Sequence, residues 1–266
     1  SPKLPMTPIL AKHIELGKGV EIQPTAQIRG INGPAERIVI GDHTYIGADV
    51  QIICDDFSIG DYGKIHHHTN IHGYQPCHIG HNAWIGQYSL IDSIGGVKIG
   101  DNCGIGAHSQ VWSHIKFGDT LEGCRFNSNQ GLRFGDDVWL VGHCIVSPIT
   151  AQDKSMALAG SVVTKDMAFN TIYAGCPASP VSDRLGFQFE EKSLEEKWTL
   201  LSDYLSLSKI PSETIRIVKF RAEVDFENKD LSFFCLEDRK YTKRQGDSEI
   251  AFIKFLLPEK AKFTPY

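Results

Sequence analysis

Histidines crowd one short stretch of this chain. His66, His67, His68, His72, His78 and His81 all fall within GKIHHHTNIHGYQPCHIGHNAWIGQ. Imidazoles at that density are side chains that ligate transition metals or exchange protons near neutral pH. A second segment, from Trp112 to Arg133, carries Ser113, His114, Cys124, Arg125, Asn127, Ser128 and Asn129. A thiol such as Cys124 becomes a nucleophile only where a cation or helix N-terminus lowers its pKa, and Arg125 is its one such neighbour in sequence. The guanidinium fork of Arg125 suits phosphate oxygens, and Asn127 and Asn129 carry amides that can bond a sugar or a diphosphate.

These groups need a scaffold, and an isoleucine returning every six residues describes it. Ile40, Ile46 and Ile52 form one run, followed by Ile59, Ile65 and Ile71, then Ile79, Ile85 and Ile91, then Ile99, Ile105 and Val111. A six-residue period fits neither an amphipathic helix nor a simple alternating strand. It fits a triangular coil in which each side is a short strand and about 18 residues complete a turn, so that stacked turns bury a common core. The register lapses between Val111 and Phe134 and resumes with Leu140 and Val146. One hexad accounts for part of that gap, so about 17 residues are expelled as a loop, roughly 112–133. Loops of that length without internal structure are commonly functional.

Composition narrows the function. The 266 residues allow one large domain and a smaller one. A net charge of -5 argues against nucleic-acid binding as the main task. No apolar run is long enough for a membrane span, and SPKLPMTPIL shows no signal-peptide pattern. The 7 cysteines include no CxxC pair, which suits free thiols in a reducing compartment, the cytoplasm. The division expected is 1–180 for the coil and 181–266 for a small α+β domain. In the latter, Leu194, Trp198, Leu201, Tyr204 and Leu205 mark a helix within Glu190–Ser208. TIRIVKFRAEVDF alternates like a strand, with LSFFCLEDRKYTKR and AFIKFLL as strands able to pair with it.

The segments FGDDVWLVGHCIVSP and ALAGSVVTKDMAFNTIYAGCPA resemble the end of the left-handed parallel β-helix of hexapeptide-repeat acyltransferases, which runs roughly IG-x-x-VWIGG, IGAGSVVTKD and AGNPA. Val141 stands where the first glycine of the usual pair would be, and Cys176 where the usual asparagine would be. The resemblance covers residues from about 20 to 178. It implies a mainly β protein, a homotrimer, and acetyl-CoA lying between neighbouring coils. The implied reaction is direct acetyl transfer to an amino or hydroxyl group of a sugar, including nucleotide-linked sugars for surface polysaccharide synthesis. His114, which opens the expelled loop, matches the family's general base.

The same resemblance assigns acetyl-CoA contacts to Trp139, Gly142, Ala159, Gly160, Lys165 and Gly175, with the Gly142 amide close to the thioester. Arg125, Asn127 and Asn129 would then face the sugar acceptor. Two other readings stay open. One is a β-helix binding scaffold with a degenerate site. The other follows from the histidine-rich stretch, which also looks like the zinc region of γ-class carbonic anhydrases. There His72 matches one ligand, whereas Gln87 and Asp92 occupy the other two positions, so no metal site is expected.

Overall fold

The computed structural model describes residues 8–266. The start of the segment read for a leader lies outside them. The expected hexads form a left-handed parallel β-helix of three faces. The first face stacks Ala35–Ile40, Asp56–Ile59, Cys77–Ile79, Val97–Ile99, Leu132–Phe134 and Thr150–Ala151. The second stacks Tyr45–Ile46, Lys64–Ile65, Trp84–Ile85, Gly104–Ile105, Trp139–Leu140 and Met156–Ala157. The third stacks Gln51–Cys54, Asn70–Gly73, Leu90–Asp92, Gln110–Val111, Ile145–Val146 and Val162–Val163. Strands pair in parallel with like residues in register, as in Ile59↔Ile79, Ile79↔Ile99 and Ile99↔Phe134. The inward residues are buried throughout, so each isoleucine packs on its counterpart a turn above and below. Beyond Val146 the inward positions become Ala151, Ala157 and Val163. The coil therefore continues through SPITAQDKSM with smaller side chains.

The corners explain the residues between the isoleucines. Three positions after an inward residue the chain enters the left-handed region, with φ of 56° at His43, 58° at Asp49, 57° at Asn82 and 61° at Asn102. Asn, Asp and His tolerate that conformation better than most residues. The next residue turns back into the core and must be small; Thr44, Ala83, Ser89, Ser109, Ser155 and Ser161 fill this role and are buried. At the corner between the second and third faces the left-handed residues stack as rings. His68 lies 4.7 Å from Tyr88, Tyr88 5.2 Å from His108, and His108 4.9 Å from His143.

The recurring Gly-Asp pairs build a ladder at the corner between the first and second faces. The Oδ1 of Asp61 accepts the Asp42 N–H at 2.8 Å, Asp101 accepts that of His81 at 2.7 Å, Asp136 that of Asp101 at 2.7 Å, and Asp153 that of Asp136 at 2.8 Å. Burial pushes the Asp136 carboxyl above the ordinary range, and the charges of Asp101 and Asp153 add to this against the opposing hydrogen bond from Asp101. A carboxyl raised on folding holds its proton longer in the folded state, so stability falls as pH rises through the interval between its unfolded and folded pKa values. Asp136→Asn keeps an acceptor oxygen and removes the charge. It is expected to raise the thermal midpoint slightly above that interval, by a few tenths of a kcal/mol after solvent screening, and to have no effect below it. Calorimetric scans of both proteins from pH 3 to 7 test this, and a midpoint lowered at neutral pH would contradict it.

The described chain divides into two compact units at 189/190. In the second, Ile215–Val218, Ser232–Cys235, Lys240–Tyr241 and Thr264–Pro265 form a four-stranded sheet accompanied by helices Leu194–Ser208 and Asp247–Leu256. The first helix begins at Leu194 rather than Glu190 because Ser193 and Glu196 form a capping box. TIRIVKFRAEVDF stops being a strand at Val218. The Glu223 carboxylate accepts the N–H groups of Lys219 at 2.9 Å and Phe220 at 2.8 Å and turns the chain there. AFIKFLL is helical, not a strand. Glu249, Phe252, Ile253 and Leu256 are its buried stripe at helical spacing. Glu249 anchors the first turn by accepting from Arg244 N–H at 2.7 Å and Gln245 N–H at 2.9 Å. Among the described residues no helix is long and apolar enough to cross a membrane.

Candidate active site

The expelled loop leaves the third face after Val111 and rejoins the first face at Leu132. Its neck is closed by reciprocal bonds between Ile115 and Ser128, each 2.8 Å, and by the Gly131 N–H donating to the Ser113 carbonyl at 3.1 Å. Ser113 is held from below, where its Oγ accepts the Gly95 N–H at 2.9 Å. Gly95 has to lack a side chain, because a Cβ there would overlap the Ser113 carbonyl oxygen.

His114 is seated by this arrangement. Its Nδ1 lies 2.7 Å from Asp92 Oδ2. The same oxygen accepts the Ser113 N–H at 3.1 Å and the Ser113 hydroxyl at 3.0 Å. The side chains of His114 and Asp92 are 16% and 5% exposed, so the pair is largely shielded from water. A carboxylate only accepts, so a neutral ring at this distance carries its proton on Nδ1 and keeps the lone pair on Nε2. A pair arranged in this way can act as an oriented base, with a buried counter-charge for an imidazolium. Asp92 is the residue that the sequence reading missed, having considered it only as a zinc position. The signal was present in the register: Ile91 pairs with Val111, so the residue after Ile91 lies beneath the start of the loop.

The other expected residues are dispersed. Gly142, Ala159 and Gly160 lie together at the corner that precedes the third face, with Trp139 on the second face. The Gly142 carbonyl accepts the Gly160 N–H at 3.0 Å, and the Gly142 N–H has no backbone acceptor among the described residues. His114 follows the third face, so the length of that face, about 20 Å of extended chain, separates the two groups within one protomer. Lys165 is exposed just after the third face. Gly175 lies in the hairpin Ile172–Gly175/Ala178–Pro180. Arg125, Asn127 and Asn129 are exposed on the outer loop, and the structure gives their side chains no hydrogen bond to the His114–Asp92 pair. Cys124 turns back onto the loop, its N–H donating to the Asp119 carbonyl at 3.0 Å, with no imidazole recorded at its sulfur.

The histidine-rich stretch does not converge either, because six residues carry the chain from one side of the coil to the next. His66, His67 and His68 lie past the second face, His72 on the third, His78 on the first and His81 at the following corner. His66 packs against Trp84 with centroids 4.4 Å apart. Burial, with the charges of Lys64 and His67, pushes its pKa down. Among the described residues no group of three His, Cys, Asp or Glu side chains is placed to hold a metal ion.

Sequence comparison finds local relatives, among them two named as acetyltransferases. The galactoside O-acetyltransferase of Escherichia coli (strain K12) is 36% identical over 53 residues, which are 20% of this chain and 26% of that protein. A Schizosaccharomyces pombe protein named as an acetyltransferase is 42% identical over 60 residues, 20% of this chain and 29% of the relative. The chain thus spans less than a third of the length of the curated relatives it matches. No family model matches. Among solved structures, a maltose O-acetyltransferase from Clostridium difficile 630 superposes with a TM-score of 0.34 at 19% identity, over 69% of this chain and 71% of that one. AntD, an N-acyltransferase from Bacillus cereus solved with dTDP and 3-hydroxybutyryl-CoA, superposes with a TM-score of 0.38 at 14% identity, over 75% of this chain and 91% of that one. The stacked hexads and the loop expelled from one turn give this chain the left-handed parallel β-helix fold, and the local relatives it matches are named as acetyltransferases.

Proposed function

We propose that this protein transfers an acetyl group from acetyl-CoA to an amino or hydroxyl group of a sugar, with His114 as general base. The observation that carries the reading is the His114–Asp92 pair at the root of the loop, 2.7 Å apart and largely shielded from water. In the reaction the acceptor N–H or O–H gives its proton to His114 Nε2 as its lone pair attacks the thioester carbon. The tetrahedral oxyanion collapses, the C–S bond breaks, and the proton passes from the imidazolium to the departing thiolate. A backbone N–H without a protein acceptor, such as that of Gly142, is the kind of donor that stabilises such an oxyanion. The exposed Ala159–Gly160 corner leaves room for an extended arm, since a Cβ at Gly160 would meet nothing within 4 Å. Trp139, Lys165 and Gly175 are assigned to the same cofactor, and Arg125, Asn127 and Asn129 to the sugar.

A complete site needs more than one copy of the chain, because His114 and Gly142 stand at opposite ends of one face. The loop also carries Phe117, Leu121 and Phe126, which are 104%, 92% and 78% exposed. Large apolar side chains so fully in water mark a surface that a partner covers. A homotrimer with the site between neighbouring coils meets both demands, and light scattering on the purified protein tests it. The free thiols of Cys54, Cys77, Cys103, Cys144 and Cys235, all buried, fit a cytoplasmic setting.

The reaction is tested by thiol release from acetyl-CoA against amino sugars, nucleotide-linked amino sugars and simple glycans. Release is expected with one acceptor class. If no acceptor gives release and calorimetry detects no CoA binding, the chain is a binding scaffold instead.

A further inference from the structure

The first face carries a pair of cations that the mechanism does not use. Lys98 and Arg133 are opposite each other in register on adjacent parallel strands, so their side chains leave the face on the same side about 4.8 Å apart. Both are exposed, and neither side chain makes a recorded hydrogen bond or ion pair among the described residues. Elsewhere on this face cations are neutralised: Lys12 pairs with Glu36 at 2.5 Å and Arg37 with Asp56 at 3.2 Å. The histidine in register below Lys98, His78, also turns to Asp56, at 3.3 Å. Like charges directly opposite on neighbouring strands repel. In a chain of net charge -5, an unneutralised pair of this kind points to an anion that completes it.

The surroundings suit an anion with an organic portion. Lys98 and Arg133 border a groove of about 420 Å³ that Thr150, Gln152, Asp153 and Phe169 also line. Gln152 Oε1 accepts the Phe169 N–H at 3.0 Å, which leaves the Gln152 amide protons to donate. Asp153 is the one acid there, and its Oδ1 is engaged by the Asp136 N–H at 2.8 Å. Phe169 is 54% exposed and offers a flat apolar wall. The groove opens at the foot of the catalytic loop, since Arg133 lies two residues beyond Gly131, whose N–H is bonded to the Ser113 carbonyl beside His114.

We infer that Lys98 and Arg133 form a phosphate-binding subsite for a phosphorylated ligand of the transfer reaction. This rests on the acetyl-transfer reading for its role, though not for the binding itself. A phosphate oxygen pair can take the guanidinium fork bidentately while the ammonium neutralises the second charge. Two sources share this chemistry: the diphosphate of a nucleotide-linked acceptor and the phosphates of CoA.

The test is calorimetric titration of the full chain and of a Lys98→Gln/Arg133→Gln variant with pyrophosphate, CoA and a nucleoside diphosphate. Both positions are exposed, so an unchanged thermal midpoint serves as the folding control. Pyrophosphate binding is expected in the parent and about tenfold or more weaker in the variant. Weakened nucleoside diphosphate binding names the acceptor as the source, and weakened CoA binding names the cofactor. No pyrophosphate binding in the parent, or equal binding in the variant, overturns the subsite. Loss confined to pyrophosphate means an adventitious ion only and overturns it as well. Failure of the acetyl-transfer reading has a different signature, no thiol release from acetyl-CoA with any acceptor, which these titrations do not measure.

Discussion

His114→Ala is expected to lower kcat roughly 10²- to 10⁴-fold, the range that general-base catalysis contributes. The affinity for CoA should barely change, because in the proposed mechanism the imidazole acts on the acceptor proton and the cofactor contacts are assigned to a different corner. The fall should appear equally in kcat and kcat/KM for the acceptor, the mark of an interaction made only in the transition state. The thermal midpoint should hold, since the ring is at the edge of the coil and not in its core. Steady-state kinetics with a competent acceptor provide the measurement, and turnover near that of the parent would remove His114 from the mechanism.

The next largest effect is expected at Asp92. Its Oδ2 accepts from the Ser113 N–H, the Ser113 hydroxyl and His114. In Asp92→Asn the two Ser113 donors require the amide oxygen at that same place, so the ring stays anchored through Nδ1 and what disappears is the negative charge. The imidazolium formed during transfer then lacks its counter-ion, and kcat should fall about 10- to 100-fold with KM for both substrates nearly unchanged. Asp92→Ala is a harsher change, since it strands a buried N–H and an imidazole N–H. It should also cost about 1–3 kcal/mol of stability. A kcat that stays at the parent value in Asp92→Asn would mean that the carboxylate only props the loop. Loss of stability without loss of kcat in Asp92→Ala would point the same way.

The comparison of these two residues shows how much of the site was legible. His114 could be picked out because the hexads stop at Val111, three residues before it, and the motifs AGSVVTKD and AGCPA point to a family with a loop histidine. Asp92 is 22 residues earlier in a different turn of the coil. Its role depends on how the expelled chain folds back over the turn below, through the contacts of Ser113 with Gly95 and Gly131. The histidine-rich stretch misleads in the opposite sense. His66 to His81 are close in sequence, yet the coil distributes them around its sides: His67 and His68 touch, with their Nδ1 atoms 3.0 Å apart, and the stacked contact of His108 with His143 runs between successive turns. AFIKFLL shows a third limit. A short apolar run fits a strand or a buried helix equally well, and Glu249 decides between them by holding the two N–H groups that precede the helix.

What the sequence alone determined was the repeating core: which residues point inward, where a turn must bend, and where a loop must leave. Those properties follow from a period of six, which is local and needs only neighbouring hexads to express it. Only the tertiary structure decided which polar side chains meet. Contacts between turns join residues about 20 positions apart, and their pairing depends on the few residues added or expelled at each corner. That is why the isoleucines could be read from their spacing, while the partner of His114 and the unneutralised Lys98–Arg133 pair emerged only once the turns were stacked in register.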